Sequence, residues 1–111
     1  MTATLLMLTT LPDGESADRL ATALVENHLA ACVSALPVCR STFRWQGRVE
    51  TANETLLLIK TRTEHYAAAE ALIRSQHPYE LPEIIALPIE RGLPAYLEWI
   101  AHETEPPCLS C

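Results

Sequence analysis

A two-residue turn signal, Gln46-Gly47, separates two long stretches that both read as β-strand. Residues 31–46 carry Val33 and Ala35, then Thr42, Phe43 and Trp45, in loose alternation, with Pro37 marking a kink, bulge or sheet edge. Residues 48–62 contain a fully apolar half, Leu56-Leu57-Leu58-Ile59. Each strand is about 15 residues, or roughly 50 Å at ~3.3 Å per residue. Covering helices of about 14 residues reach only about 21 Å. The far half of the hairpin therefore projects beyond its own helices. A bare two-stranded ribbon is marginal in water and leaves open edges. Another subunit has to cover it, so the chain is expected to be an oligomer with Phe43 and Trp45 at the interface.

The remaining segments set the topology. Residues 3–9 are a short apolar run stopped by Pro12-Asp13-Gly14, which predicts a buried strand and a turn. Ala17, Leu20, Ala21, Leu24 and His28 fall at helical spacing, predicting a helix over about residues 15–29 with Asp13 or Ser16 as its cap. Thr63 is the expected cap of a second helix carrying Tyr66, Ala69, Leu72 and Ile73, stopped after His77 by Pro78. Residues 82–89 read as a compact strand. Gly92-Leu93-Pro94 opens a last helix with Leu93, Tyr96, Leu97 and Ile100 on its apolar face. The order β-α-β-β-α-β plus a helix is that of the ferredoxin-like α+β sandwich, an antiparallel sheet with both crossover helices on one face. Residues 1–103 make one domain, and 104–111 read as a flexible tail.

Composition narrows the partners. The net charge is −6, and eight basic residues are scattered among fourteen acids, which argues against nucleic acid and anionic membrane surfaces. The longest uncharged runs, residues 1–12 and 27–39, fall short of a spanning helix. No basic residue precedes Arg19, so a signal peptide is not expected and the cytoplasm is the default compartment. Cys32, Cys39, Cys108 and Cys111 then read as reduced thiols. Cys108-x-x-Cys111 has metal- or redox-like spacing at the end of the tail.

Several motifs occur in a fixed order: Leu29-Ala30-Ala31-Cys32-Val33, Arg44-Trp45-Gln46-Gly47, Leu58-Ile59-Lys60-Thr61, and the segment from His77-Pro78-Tyr79-Glu80 to Ile85. Gly92-Leu93-Pro94-x-Tyr96-Leu97-x-Trp99 follows them. Together they resemble the CutA family of divalent-cation tolerance proteins, from about Leu5 to Ile100. The resemblance implies a ferredoxin-like homotrimer with long hairpins packed between subunits, similar in architecture to the PII nitrogen-signalling proteins. It also implies a role in tolerance of copper and other divalent metal ions. Copper ligands proposed in the family are a cysteine late in the first strand and two adjacent histidines before Pro-Tyr. Here those positions are Thr9, Gln76 and His77, so only His77 matches.

Five residues carry most of the chemistry. His77, extended before Pro78, is either a borderline ligand for copper, zinc or nickel or a helix-end imidazole favoured by the macrodipole. Lys60 is the sole lysine beside seven arginines and follows an apolar run. It is either a base or anion binder, or a strand-end cation paired with Glu80 or Glu83. Cys32 is either a buried structural thiol or a thiolate supported by Lys60 on the adjacent strand. Tyr79 and Glu80 lie between two prolines and offer a hydroxyl and a carboxylate in a rigid loop, or else brace that loop against a neighbour. Cys32, Lys60, Tyr79 and Glu80 are the residues expected in a cleft between subunits. No hydrolase triad, phosphate loop, zincin or dinucleotide motif is present, and no organic cofactor is expected. A metal-binding tolerance protein, an enzyme or signalling protein taking a small anion in that cleft, and a bare scaffold are the competing functions.

Overall fold

The computed structural model describes residues 3–106. The elements are β1 (Thr4–Leu11), α1 (Gly14–Glu26), β2 (Cys32–Trp45), β3 (Arg48–Arg62), a 3-10 turn (Thr63–His65), α2 (Tyr66–Gln76), β4 (Ile85–Pro88) and α3 (Pro94–Glu103). The sheet order is β2-β3-β1-β4, with antiparallel neighbours throughout. Each of α1 and α2 joins two parallel strands that have a third strand between them. The chain is thus a small α+β fold with one four-stranded antiparallel sheet and three helices.

Alternation sorts the sheet into two faces. Met7↔Ile59, Thr9↔Leu57 and Leu11↔Thr55 face α1 and α2, where Ala17, Leu20, Leu24, Ala69 and Ile73 close the core. The pairs Leu8↔Leu58 and Thr10↔Leu56 look the other way, extended by Leu36 on β2 and by Ile85 and Leu87 on β4. Leu36, Ile85 and Leu87 are about half exposed. α3 lies over one end of this second face. There Arg62 donates from Nε to Thr104 Oγ1 at 2.7 Å and from a terminal nitrogen to Thr104 O at 3.1 Å.

The hairpin overhangs as its length requires. Register runs from Cys32↔Lys60 to Trp45↔Arg48, while β1 leaves β3 at Leu11↔Thr55. From Cys39↔Glu54 outward the ribbon has no third strand, and the molecule measures 52 Å along its long axis against 29 and 22 Å across. Gln46 (φ 50°) and Gly47 (φ 81°) are both left-handed, the geometry of a two-residue hairpin loop that suits strand twist. The register shifts between Leu36 and Cys39, a bulge at Pro37 on an edge strand.

Several boundaries differ from expectation, among them β1, which runs to Leu11 rather than to residue 9. α1 stops at Glu26 because Asn27 Nδ2 donates to Ala23 O and His28 turns left-handed (φ 58°), which sends the N–H groups of Leu29 and Ala30 back to Leu24 O. Its cap is Asp13, which accepts from Ser16 N at 2.7 Å. Thr63 does not cap α2, because its hydroxyl donates to Ala3 O and the helix enters through the 3-10 turn. β4 begins at Ile85 rather than at residue 82, since Pro82 has no N–H for a ladder and residues 77–84 are drawn toward the hairpin. Thr104, expected at the start of the tail, is fully buried. On α3 only Ile100 is fully buried, while Leu93 and Tyr96 stay exposed.

Candidate functional site

The overhanging ribbon forms one wall of a cleft of about 1010 Å³, with Phe43, Trp45, Glu50 and Glu54 along it. The loop between α2 and β4 forms the other wall with Tyr79, Glu80 and Glu83, and Thr10 closes the floor at the end of β1. Among the described residues, four carboxylates line this cleft and no Lys or Arg does. Its field therefore favours cations.

His77 sets the loop. Pro78 excludes the helical region for His77, which turns extended (ψ 133°) while its N–H still caps Ile73 O. Tyr79 N–H donates to Nδ1 at 3.1 Å, which makes Nδ1 the unprotonated nitrogen. Nε2 then carries the hydrogen and donates to Thr10 O at 2.7 Å. The ring leans on Tyr79 with centroids 4.9 Å apart. Both nitrogens are thus engaged inside the chain, and a metal at either must displace a hydrogen bond. Gln76 is exposed at the end of α2, and Thr9 is sealed beneath the helices. Among the described residues no three His, Cys, Asp or Glu side chains are grouped to hold a metal ion.

Tyr79 OH donates to Glu54 Oε2 at 2.9 Å, and Glu54 is only 7% exposed. Burial first, then the bond to Glu54 and its charge, push the Tyr79 phenol up to about 12. The folded-state value lies above the unfolded one near 10. The neutral phenol's contribution to stability is therefore whole below about pH 10 and is lost as pH rises through about 12. Absorbance titration of wild type against Glu54→Gln is expected to lower this midpoint toward 10 without reaching it, since burial remains. An unchanged midpoint would mean that the phenol–carboxylate bond is absent in solution.

The four residues expected to share one cleft fall, within one chain, in two places. Tyr79 and Glu80 line the acidic cleft. Cys32 and Lys60 are directly opposed on β2 and β3, about 20 Å along the strand from Glu54. Lys60 Nζ donates to Ser34 Oγ at 2.5 Å and to Cys32 Sγ at 3.7 Å. The Tyr96 phenol, on α3, faces Cys32 and is raised by burial and by that sulfur. Phe43 and Trp45 stand on the ribbon, each more than 40% exposed. Cys108 and Cys111 lie outside the described residues. Sequence reasoning missed Glu54, Ser34 and Tyr96. Ser34 lies opposite Leu58 in the register, and nothing local to Ser34, Glu54 or Tyr96 announces a partner.

An overhanging hairpin, a single four-stranded sheet and an acid-lined cleft define a small α+β protein of the divalent-ion tolerance class, for residues 5–103 match the family model of the CutA1 divalent ion tolerance protein. The Divalent-cation tolerance protein CutA of Thermus thermophilus is 45% identical over 98 residues, covering 88% of this chain and 95% of that one. Mouse Protein CutA is 44% identical over 96 residues, 86% of this chain, which spans only about half (54%) of the mouse protein. The crystal structure of CutA from Xylella fastidiosa superposes with a TM-score of 0.89 at 47% identity, covering 92% of this chain and 98% of that one. The chain belongs to the CutA family. Among the described residues no helix is long and apolar enough to cross a membrane.

Proposed function

We propose that this chain forms a homotrimer of ferredoxin-like subunits, similar in architecture to PII proteins, and acts in the cytoplasm in tolerance of divalent cations, copper among them. The observation that carries the cation reading is the cleft itself: Glu50, Glu54, Glu80 and Glu83 line it without a basic side chain. Such a lining attracts cations and disfavours a small anion beside Tyr79 and Glu80. Assembly is supported by the bare ribbon and by the half-exposed Leu36, Ile85 and Leu87 on the uncovered sheet face. Binding is expected to be weak, because His77 is already engaged and one chain groups no three donors among its described residues.

Calorimetry with Cu(II) tests the reading on a Cys108→Ser/Cys111→Ser background, which removes the tail thiols. Glu80→Gln/Glu83→Gln is expected to weaken binding about tenfold or more, an order set by losing two charges near a cation. His77→Ala is expected to act less, through the loop it braces. Unchanged affinity in the double Gln variant would reject the cleft as the cation site. Complete loss on His77→Ala alone would make the imidazole the ligand instead.

A further inference from the structure

We propose that Cys32 and Lys60 are a modification site for peroxide, in which oxidised sulfur is captured by the lysine nitrogen as a covalent S–N link between β2 and β3. The inference is independent of the cation cleft, which lies about 20 Å away along β3.

Register makes the pair direct cross-strand neighbours on one face, the closest relation a sheet offers two side chains. Nζ already points at Sγ from 3.7 Å, and the four-carbon lysine stem can close that gap without moving the backbone. Lys60 is half-buried, yet no carboxylate among the described residues lies within ion-pair distance of it. The cation of Arg62, two residues along, has Glu64 at 3.3 Å. The ammonium of Lys60 is instead spent on a sulfur and on the Ser34 hydroxyl. Positive charge elsewhere in the chain is all arginine. A guanidinium stays protonated and cannot act as the nucleophile here, whereas an amine can. Cys32 is half-buried as well, with the Tyr96 phenol beside it, so its sulfur keeps an open side.

The chemistry balances in two steps. The Cys32 sulfur attacks one oxygen of hydrogen peroxide, forming S–O and breaking O–O, and a water leaves with the thiol proton. This gives a sulfenic acid, with sulfur oxidised and peroxide reduced. The Lys60 ammonium releases one proton to solvent, and the free amine then attacks sulfur. The S–N bond forms, S–O breaks, and the departing hydroxide takes the amine proton as a second water. Sulfenic acids condense with backbone nitrogen in the same way, and here a side-chain amine stands 3.7 Å from the sulfur.

The test uses the full chain carrying Cys39→Ser/Cys108→Ser/Cys111→Ser, so that no disulfide can imitate the product within one chain. After hydrogen peroxide, intact mass is expected to fall by about 2 Da and to recover with dithiothreitol, and peptide mapping is expected to join the residue 32 and residue 60 peptides. Lys60→Arg on the same background is expected to abolish the link and raise dimedone labelling of Cys32 several-fold, because the sulfenic acid is no longer consumed. Cys32 that gains about 16 or about 32 Da without a link, or that stays unmodified, overturns the proposal. So does a disulfide between two chains.

Discussion

Trp45→Ala is expected to release folded monomers near 12.3 kDa from the proposed trimer. Trp45 pairs with Arg48 beside the turn, where the ribbon has no third strand and no helix beneath it. Its indole remains 42% exposed, with Phe43 two residues away on the same face at 43%. Among the described residues the loop wall of the cleft leaves both rings more than 40% exposed. Large aromatics at the centre of an interface are where binding energy concentrates, at about 2 kcal/mol or more each. The proposed ring of three subunits would repeat each contact three times. The summed loss is then about 6 kcal/mol, or roughly four powers of ten in the association constant. The ribbon lies outside the core of Met7, Leu20, Leu57 and Ile73, so circular dichroism should remain that of the folded chain. Light scattering under dilution reads the result. An assembly that persists at nanomolar concentration would mean that the hairpin tip is not the anchor, and would shift the interface to the leucine-bearing sheet face.

What was legible in the sequence was local. The Gln46-Gly47 turn, a cap at Asp13 or Ser16, Pro94 opening α3 and a kink, bulge or edge at Pro37 each follow from the conformational limits of one or two residues. The overhang of the hairpin followed from strand length alone. The site's internal wiring did not, because it joins residues far apart in the chain. Tyr79 meets Glu54 across 25 positions, His77 meets Thr10 across 67, and Arg62 meets Thr104 across 42. Register decides such meetings, and a one-residue slip would send every side chain to the other face. Thr104 read as tail because its neighbours are polar and Pro106-Pro107 follows, yet Arg62 draws it into the fold.

Three buried threonines turn that wiring into a measurement with opposite signs. Thr9, Thr61 and Thr104 are all fully buried, so hydrophobic burial alone predicts the same response to Thr→Val at each. Their hydroxyls differ. Thr9 Oγ1 and Thr61 Oγ1 have no hydrogen-bond partner among the described residues. Thr104 Oγ1 accepts from Arg62 Nε at 2.7 Å and donates to Ile100 O at 2.8 Å. Exchanging an orphaned hydroxyl for a methyl removes a desolvation penalty, so Thr9→Val and Thr61→Val are each expected to stabilise by about 1 kcal/mol. Thr104→Val strands a buried N–H of a charged guanidinium and is expected to destabilise by about 2 kcal/mol. Arg62→Leu should be worse than neutral alone, but Arg62→Leu/Thr104→Val should fall short of the sum, since each removes the other's partner. Denaturant titration at one fixed protein concentration checks all five, because assembly otherwise moves the apparent stability. A common sign for the three valine variants would mean that packing, rather than hydroxyl partnership, decides what a threonine does in this core.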